Sequence, residues 1–307
     1  MANPRGSPGA ATPGETAPLN PVMSIDLEDW FQVENLRGAI SRESWDEQPR
    51  RVVRNTETIL EILERNDTTA TFFCLGWVAE RHPELIRRIA GMGHEIASHG
   101  YSHRLIYEQG AGEFRDDIIR AKALLEDITG EEVLGYRAPS FSITAAALEV
   151  LAETGHRYDS SWFPAGGHDR YGKLDMEPLV DWSLTGTNPD SVLTLKTGLK
   201  ELIITTLPFA HRHLPWGGGG YFRLYPPRLF RYGFRRAMRR AGGGVFYLHP
   251  WEVDPGQPRV TGLPRSYAFR HYINLKHTAS RLERICRTFT FRRADLTLGL
   301  RAQPLRR

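Results

Sequence analysis

Two short stretches of this chain concentrate side chains that can hold a metal. The run Glu95-Ile96-Ala97-Ser98 is followed by His99 and, four residues on, by His103. The apolar run beginning at Val22 ends among three carboxylates, Asp26, Glu28 and Asp29. Two imidazoles and one carboxylate form a hydrolytic metal site when a fourth position stays open for water. The histidine spacing alone is weak evidence. With 11 His in 307 residues, chance supplies roughly 0.4 such pairs. Further elements add weight because they follow in order: Arg137-Ala138-Pro139-Ser140-Phe141, then Asp159-Ser160-Ser161-Trp162, then Leu248-His249-Pro250. Taken singly, Arg137 reads as a structural ion pair, Asp159 as a helix or turn cap, and His249 as a packed strand-end residue. It is their joint order that points to a site.

Side chains so far apart in sequence must be brought together by a regular scaffold, and the hydrophobic pattern predicts one. Strands are expected at Val22–Leu27, Thr69–Leu75, Glu95–Ser98 and Val133–Tyr136. Helices are expected between them at Arg51–Arg65, with Val52, Val53, Thr56, Ile59, Leu60 and Leu63 facing inward, and at Val78–Ala90 and Glu113–Ile128. Thr144 is placed to cap a further helix running to about Glu153. This alternation argues for a parallel sheet wrapped by helices, most simply a (β/α) barrel, whose chemistry sits at the C-terminal strand ends. Asp26, His99, Arg137 and Asp159 all fall at or just after predicted strand ends. Beyond Ser161 the rhythm breaks into Gly-, Pro- and aromatic-rich stretches, Ala165–Gly172 and Pro208–Pro227. One strong strand, Gly244–Leu248, a helix Leu275–Phe289 and a short strand Phe289–Phe291 follow.

Composition narrows the class. Hydrophobic content of 40% and charged content of 25% are ordinary for a soluble globular chain. No apolar run approaches the roughly 18 residues that span a bilayer. The first twenty residues read as a disordered tail without the apolar segment of an export signal. Cys74, in a predicted strand, and Cys286, in a predicted helix, do not make a disulfide framework, which suits a reducing compartment. The net charge of +4 is uneven. Arg223, Arg228, Arg231, Arg235, Arg236, Arg239 and Arg240 are expected on the outer face of an amphipathic helix whose inner face carries Phe230, Phe234, Ala237, Met238 and Ala241. Such a face is either simply solvated or in contact with anionic head groups or an acidic polymer. No nucleic-acid-binding motif accompanies it.

In order and content these motifs resemble the polysaccharide deacetylase superfamily, with the NodB-homology fold of carbohydrate esterase family 4. The resemblance covers about Val22 to Trp251. The Trp216-to-Tyr221 stretch, His249-Pro250-Trp251-Glu252 and the Arg270-His271-Tyr272 region are similar to a narrower subgroup. Its members carry a C-terminal extension and are associated with bacterial exopolysaccharide (exosortase-linked) gene clusters. The implied fold is an α/β, distorted (β/α) barrel with that extension. The implied division is a tail over 1–20, a catalytic domain over 21–251 with a loop-rich insertion at about 165–227, and an extension over 252–307.

The resemblance also implies roles. Many members have adjacent aspartates in the first motif, whereas this chain has Asp26-Leu27-Glu28-Asp29. Residues two apart on a strand share a face, so Asp26 and Glu28 could both reach the site, whereas a strand ending at Leu27 would let the turn present Asp29 instead. The resemblance implies Asp26 as the base, with Glu28 or Asp29 joining His99 and His103 as the metal ligand. The ion is expected to be zinc, with cobalt or nickel able to substitute. His249 would protonate the leaving nitrogen, Arg137 would hold Asp26 ionised, and Asp159 would orient His249. Trp162 and Pro139 would border the sugar, and Trp216, Tyr221 and Trp251 would stack on it. His211 and His213 are not expected to bind metal.

The reaction implied is removal of N-acetyl groups from an amino-sugar polysaccharide or its lipid-linked precursor in exopolysaccharide biosynthesis. Hydrolysis of a small or cyclic amide and inactive carbohydrate binding are the alternatives. The protein is expected on the cytoplasmic side, touching the anionic inner membrane through its arginine-rich helix, with no nucleic-acid partner.

Overall fold

A computed structural model of the chain describes residues 20–165, 174–186, 188–210 and 212–302. The expected tail, His211 and most of the expected loop Ala165–Gly172 lie outside these residues. The core is one eight-stranded sheet in the order β10-β1-β2-β3-β4-β5-β7-β6. Its strands are β1 Val22–Leu27, β2 Thr71–Cys74, β3 Glu95–Ser98, β4 Gly135–Tyr136, β5 Tyr158–Asp159, β6 Val192–Thr194, β7 Lys200–Leu202 and β10 Val245–Leu248. A separate antiparallel hairpin joins β8 Thr206–Phe209 to β9 Arg212–Pro215. In the large sheet every neighbouring pair is parallel except β6 with β7.

The parallel strands are connected through helices Val52–Arg65, Gly76–Arg81 with Pro83–Gly91, Ala111–Thr129 and Ala145–Glu153. Packing on both faces explains why β1 and β2 read as unbroken buried runs rather than as alternating ones. Met23, Ile25, Phe72 and Ile96 face the helix layer, where they meet Ile59, Leu60 and Ile86. Val22, Phe73, Ala97, Tyr158, Leu202 and Tyr247 fill the inside of the curl.

The curled sheet is a distorted barrel that stops short of closure, with β10 and β6 as its edges. The chain after β7 spans the opening. Ile204 donates its backbone N–H to the Trp162 carbonyl at one side, and Tyr247 donates to the Gly217 carbonyl at the other.

Several elements differ from expectation. Pro83 splits the expected helix Val78–Ala90, since proline suits a first helical turn but not an interior. Val53 is 39% exposed rather than core-facing. Leu275–Phe289 resolves into a 3-10 turn, Leu275–His277, and a helix Thr278–Cys286. In place of a strand at 289–291, Arg292 alone bridges to Val22. The basic helix runs Pro227–Ala241 and exposes Arg228, Arg235, Arg236, Arg239 and Arg240. Arg223 is not on its outer face: it lies in the preceding helix Gly219–Leu224 and is buried. Among the described residues no helix is long and apolar enough to cross a membrane.

Candidate active site

Strand register builds the site. Leu27, Cys74, Ser98, Tyr136, Asp159 and Glu201 are paired in succession across β1-β2-β3-β4-β5-β7, so they form one level at the C-terminal rim. Glu28, His99 and Arg137 each follow that level by one residue and emerge side by side. On the other flank of β1, Leu248 pairs with Ile25, which sets His249 beside Asp26.

Glu28, His99 and His103 converge, each offering a ligand atom within 4.8 Å of the other two, and all three are buried. The His99 Nδ1–H donates to the Arg137 carbonyl at 2.7 Å, because a carbonyl can only accept. That leaves Nε2 with a free lone pair toward the cluster. Burial lowers the His99 pKa to about 4, which keeps the ring neutral, as a ligand must be.

His103 is held by its loop rather than by a helix. Asp117 accepts bonds from the Tyr101 and Ser102 amides and from the Ser102 hydroxyl. Arg42 donates to the Ser102 and His103 carbonyls. His103 itself has φ of 53°, a conformation that costs energy outside glycine and persists where the surroundings impose it.

Glu28 Oε2 lies 2.7 Å from His103 Nε2, yet has no hydrogen bond of proper geometry. Burial alone would raise its pKa, but His103, His249 and His99 outweigh that and bring it to about 2. An ionised, buried carboxylate oxygen without a proper donor, facing two imidazoles, fits a divalent cation.

Asp29 is not part of this cluster. Its carboxylate accepts from the Arg51 and Val52 amides at 2.7 and 3.0 Å and from the Trp30 amide. It therefore satisfies the open N-terminus of helix Val52–Arg65. The turn after β1 sends Glu28 to the cluster and Asp29 away from it.

Asp26 Oδ1 accepts from Arg137 Nη1 at 2.6 Å, and its Oδ2 lies 3.7 Å from His249 Nε2. Arg137 is fully buried, and its remaining donors reach Ser24 Oγ, Ser160 Oγ and the Ser160 carbonyl. His249 Nδ1 is 2.8 Å from Glu252 Oε1, and its Nε2 is 3.6 Å from Glu28 Oε1. Burial would lower the His249 pKa, but Glu252, Glu28 and Asp26 together raise it to about 9.

Asp159 does not orient His249. Its oxygens accept from the Ser161 hydroxyl and amide, and that hydroxyl accepts from the Ala138 amide. Asp159 thus supports the backbone beside Arg137. It also faces Glu201, which accepts from the Ser161 and Trp162 amides. Burial pushes both carboxyls up, Asp159 to about 6 and Glu201 well above its ordinary range.

A cavity of about 400 Å³ opens over these groups, with walls from Phe141, Tyr221, Leu224, Phe269, Arg270 and Ile273. Trp251 also lines it, buried, with its N–H toward Glu28 Oε1 and its ring stacked on His249. Three expected sugar contacts are elsewhere. Trp216 is buried, donates to the Phe230 carbonyl and stacks on Tyr225. Trp162 lines a different cavity of about 580 Å³ near β6. Pro139 is buried in the turn that presents Ser140 and Phe141. His213 sits on the β8–β9 hairpin beside Thr206.

Glu252, Arg223 and Glu201 were missed by reasoning from motifs. Glu252 carried a signal, because it stands three residues after His249 and a helical turn brings such residues together. Arg223 and Glu201 carried none, since each meets its partner only through the tertiary fold.

Comparison with known proteins places this geometry. Residues 44–158 match the family model for polysaccharide deacetylase, and residues 160–298 match that of a domain of unknown function, DUF3473. The peptidoglycan-N-acetylglucosamine deacetylase of Bacillus cereus is 39% identical over 98 residues, 32% of this chain and 36% of that one. The peptidoglycan deacetylase of Helicobacter pylori is 31% identical over 103 residues, 34% and 35% of the two chains. The chain thus spans about a third of the length of these relatives. The chitooligosaccharide deacetylase of Azorhizobium caulinodans is 29% identical over 144 residues, 47% of this chain and 67% of that one. Among solved structures, a candidate polysaccharide deacetylase from Mycobacterium smegmatis superposes over 92% of this chain and 97% of its own, with a TM-score of 0.52 at 23% identity. Residues 44–158 thus resemble the polysaccharide deacetylase family, and the stretch after them, matched to DUF3473, follows as a C-terminal extension. The second matched stretch is no separate appendage: it supplies β7, β10, His249, Glu252 and one wall of the cavity.

Proposed function

We propose that the protein is a metal-dependent hydrolase that removes N-acetyl groups from an amino-sugar polymer or its lipid-linked precursor. The observation that carries this reading is the convergence of Glu28, His99 and His103 beside an Asp26–Arg137 pair and His249. The named activities of the relatives on peptidoglycan and chitooligosaccharide support the substrate class.

Glu28, His99 and His103 would hold the ion, and two imidazoles with one oxygen suit zinc, with cobalt or nickel as substitutes. When bound, it would supply Lewis acidity and a position for water. Asp26 accepts the proton of the attacking water, while Arg137 keeps that carboxylate charged and aimed. His249 presents Nε2 toward the same space, with Nδ1–H donated to Glu252, so a protonated ring can deliver its proton to the departing amine. Phe141, Tyr221 and Phe269 give the walls apolar faces of the kind pyranose rings pack against. Exopolysaccharide assembly is the setting this reading favours.

Purified protein should release acetate, and a matching amount of free amine, from at least one of a panel of N-acetylglucosamine oligomers. The Asp26→Asn protein should release less than about one hundredth as much. Hydrolysis of small cyclic amides with no acetate from any oligomer would contradict the proposal.

A further inference from the structure

We propose that Arg223 is a positioning residue through which the C-terminal segment 265–274 holds the His249 imidazole in its working orientation. This deepens the deacetylase reading, on which its kinetic arm rests. Glu252 Oε2 accepts from Arg223 Nε at 2.5 Å, while its Oε1 faces His249 Nδ1. Both Arg223 and Glu252 are buried. The rest of the Arg223 guanidinium is committed to the C-terminal segment. Nη1 donates to the His271 and Ile273 carbonyls at 2.8 and 2.9 Å, and Nη2 to the Arg270 carbonyl at 3.0 Å.

Those carbonyls end the helix Arg265–Tyr272, where the last groups lack intrahelical partners and the helix dipole is negative. One planar fork therefore caps a helix and neutralises a buried carboxylate at once, which a lysine could not do with the same geometry.

A second contact ties the same segment to the same imidazole. His271 stacks on Trp251 with ring centroids 4.4 Å apart, and Trp251 stacks in turn on His249. His271 is itself fixed by a hydrogen bond with Gln257. His249 is thus gripped through its Nδ1 and its ring face, and both grips lead to residues 265–274. Without Arg223 the buried Glu252 carboxylate would lose its compensating charge, take up a proton, and release the imidazole it orients.

The test compares Arg223→Gln, Glu252→Gln and the double variant in the full chain. Each single variant should lose about 10- to 100-fold in kcat, with KM within about threefold of wild type, because a mis-set proton donor is felt in the chemical step. The double variant should lose no more than the worse single one, because Arg223 acts through Glu252. If a single variant does not fold, the double variant, which removes both charges, decides the matter by NMR. The wild-type His249 Nδ1–H should give a downfield, slowly exchanging signal, identified by its disappearance in His249→Gln, and both Arg223→Gln, with Glu252 still in place, and the double variant should lose it. Multiplicative losses in kcat, an Arg223→Gln enzyme within twofold of wild type, or a signal unchanged in Arg223→Gln or in the double variant would overturn the proposal. The NMR arm needs no turnover. If wild type released no acetate yet showed the Arg223-dependent signal, the deacetylase reading would fall and the strut would stand.

Discussion

Neighbouring carboxylates in this chain take different jobs because a single turn separates them. Asp26 leaves β1 toward Arg137, Glu28 turns to the two histidines, and Asp29 turns to a helix end. Glu28→Gln should therefore abolish stoichiometric metal binding, as read by elemental analysis of the purified protein. Asp29→Ala should keep its metal yet lose about 1–2 kcal/mol of stability through the lost cap, read by urea unfolding. Metal loss in Asp29→Ala with retention in Glu28→Gln would reverse the assignment. The sequence narrowed the ligand to these two residues and could go no further, since the direction of a turn depends on what packs against it. Asp159 illustrates the same limit. Its place at a strand end was readable, but its partner was not, because Glu201 lies on a strand that propensity alone did not reveal.

At the level of elements, the first half of the chain was readable because its strands and helices are bounded by strong local signals. Thr144 does cap the helix after it, and Gly130, with φ of 69°, ends the helix before it. The second half was not, because β6, β8 and β9 are largely half-exposed and β7 carries Lys200 and Glu201, so none shows the buried apolar run that marks β1 and β2.

Trp216 was expected in a sugar site, yet its aromatic ring fills a notch in the basic helix. A Cβ added at Gly233 would lie 2.3 Å from the Trp216 ring. Replacing a mid-helix glycine with alanine ordinarily stabilises by about 0.5–1 kcal/mol. Gly233→Ala should instead destabilise the protein by about 1–3 kcal/mol through overpacking, seen as a lowered melting temperature. A raised melting temperature would show that the Trp216–Gly233 fit is not restrictive.

Across the whole molecule, buried titratable groups pull stability in opposite directions with pH. Burial, with Lys122 nearby, lowers the His156 pKa to about 3. The unfolded chain then binds more protons than the native one below about pH 6.5, so this contribution is present above that value and is lost on acidification. Burial, with Asp295 beside it, raises the Glu95 pKa to about 7. Its contribution is present below about pH 4.5 and is lost as pH rises through 7. Each slope is at most about 1.4 kcal/mol per pH unit. Relative to wild type, His156→Gln should therefore fare better at pH 5 than at pH 8, and Glu95→Gln better at pH 8 than at pH 5, in urea midpoints. The same ordering for both variants would refute these assignments. Glu95 lies at the N-terminal strand ends with Thr71 and Asp295, opposite the rim that carries the candidate site, so the buried titratable groups there serve the fold.

The central claim is that the Glu28–His99–His103 cluster is a metal centre that drives amide hydrolysis. It is tested most directly by stripping the protein with a chelator, adding back zinc in fractional equivalents, and following acetate release from the best N-acetylglucosamine oligomer. Activity should be absent in the stripped protein, rise in proportion to added zinc, and level off at one equivalent. Full activity in the stripped protein, or one equivalent of tightly bound zinc with no acetate released, would contradict it.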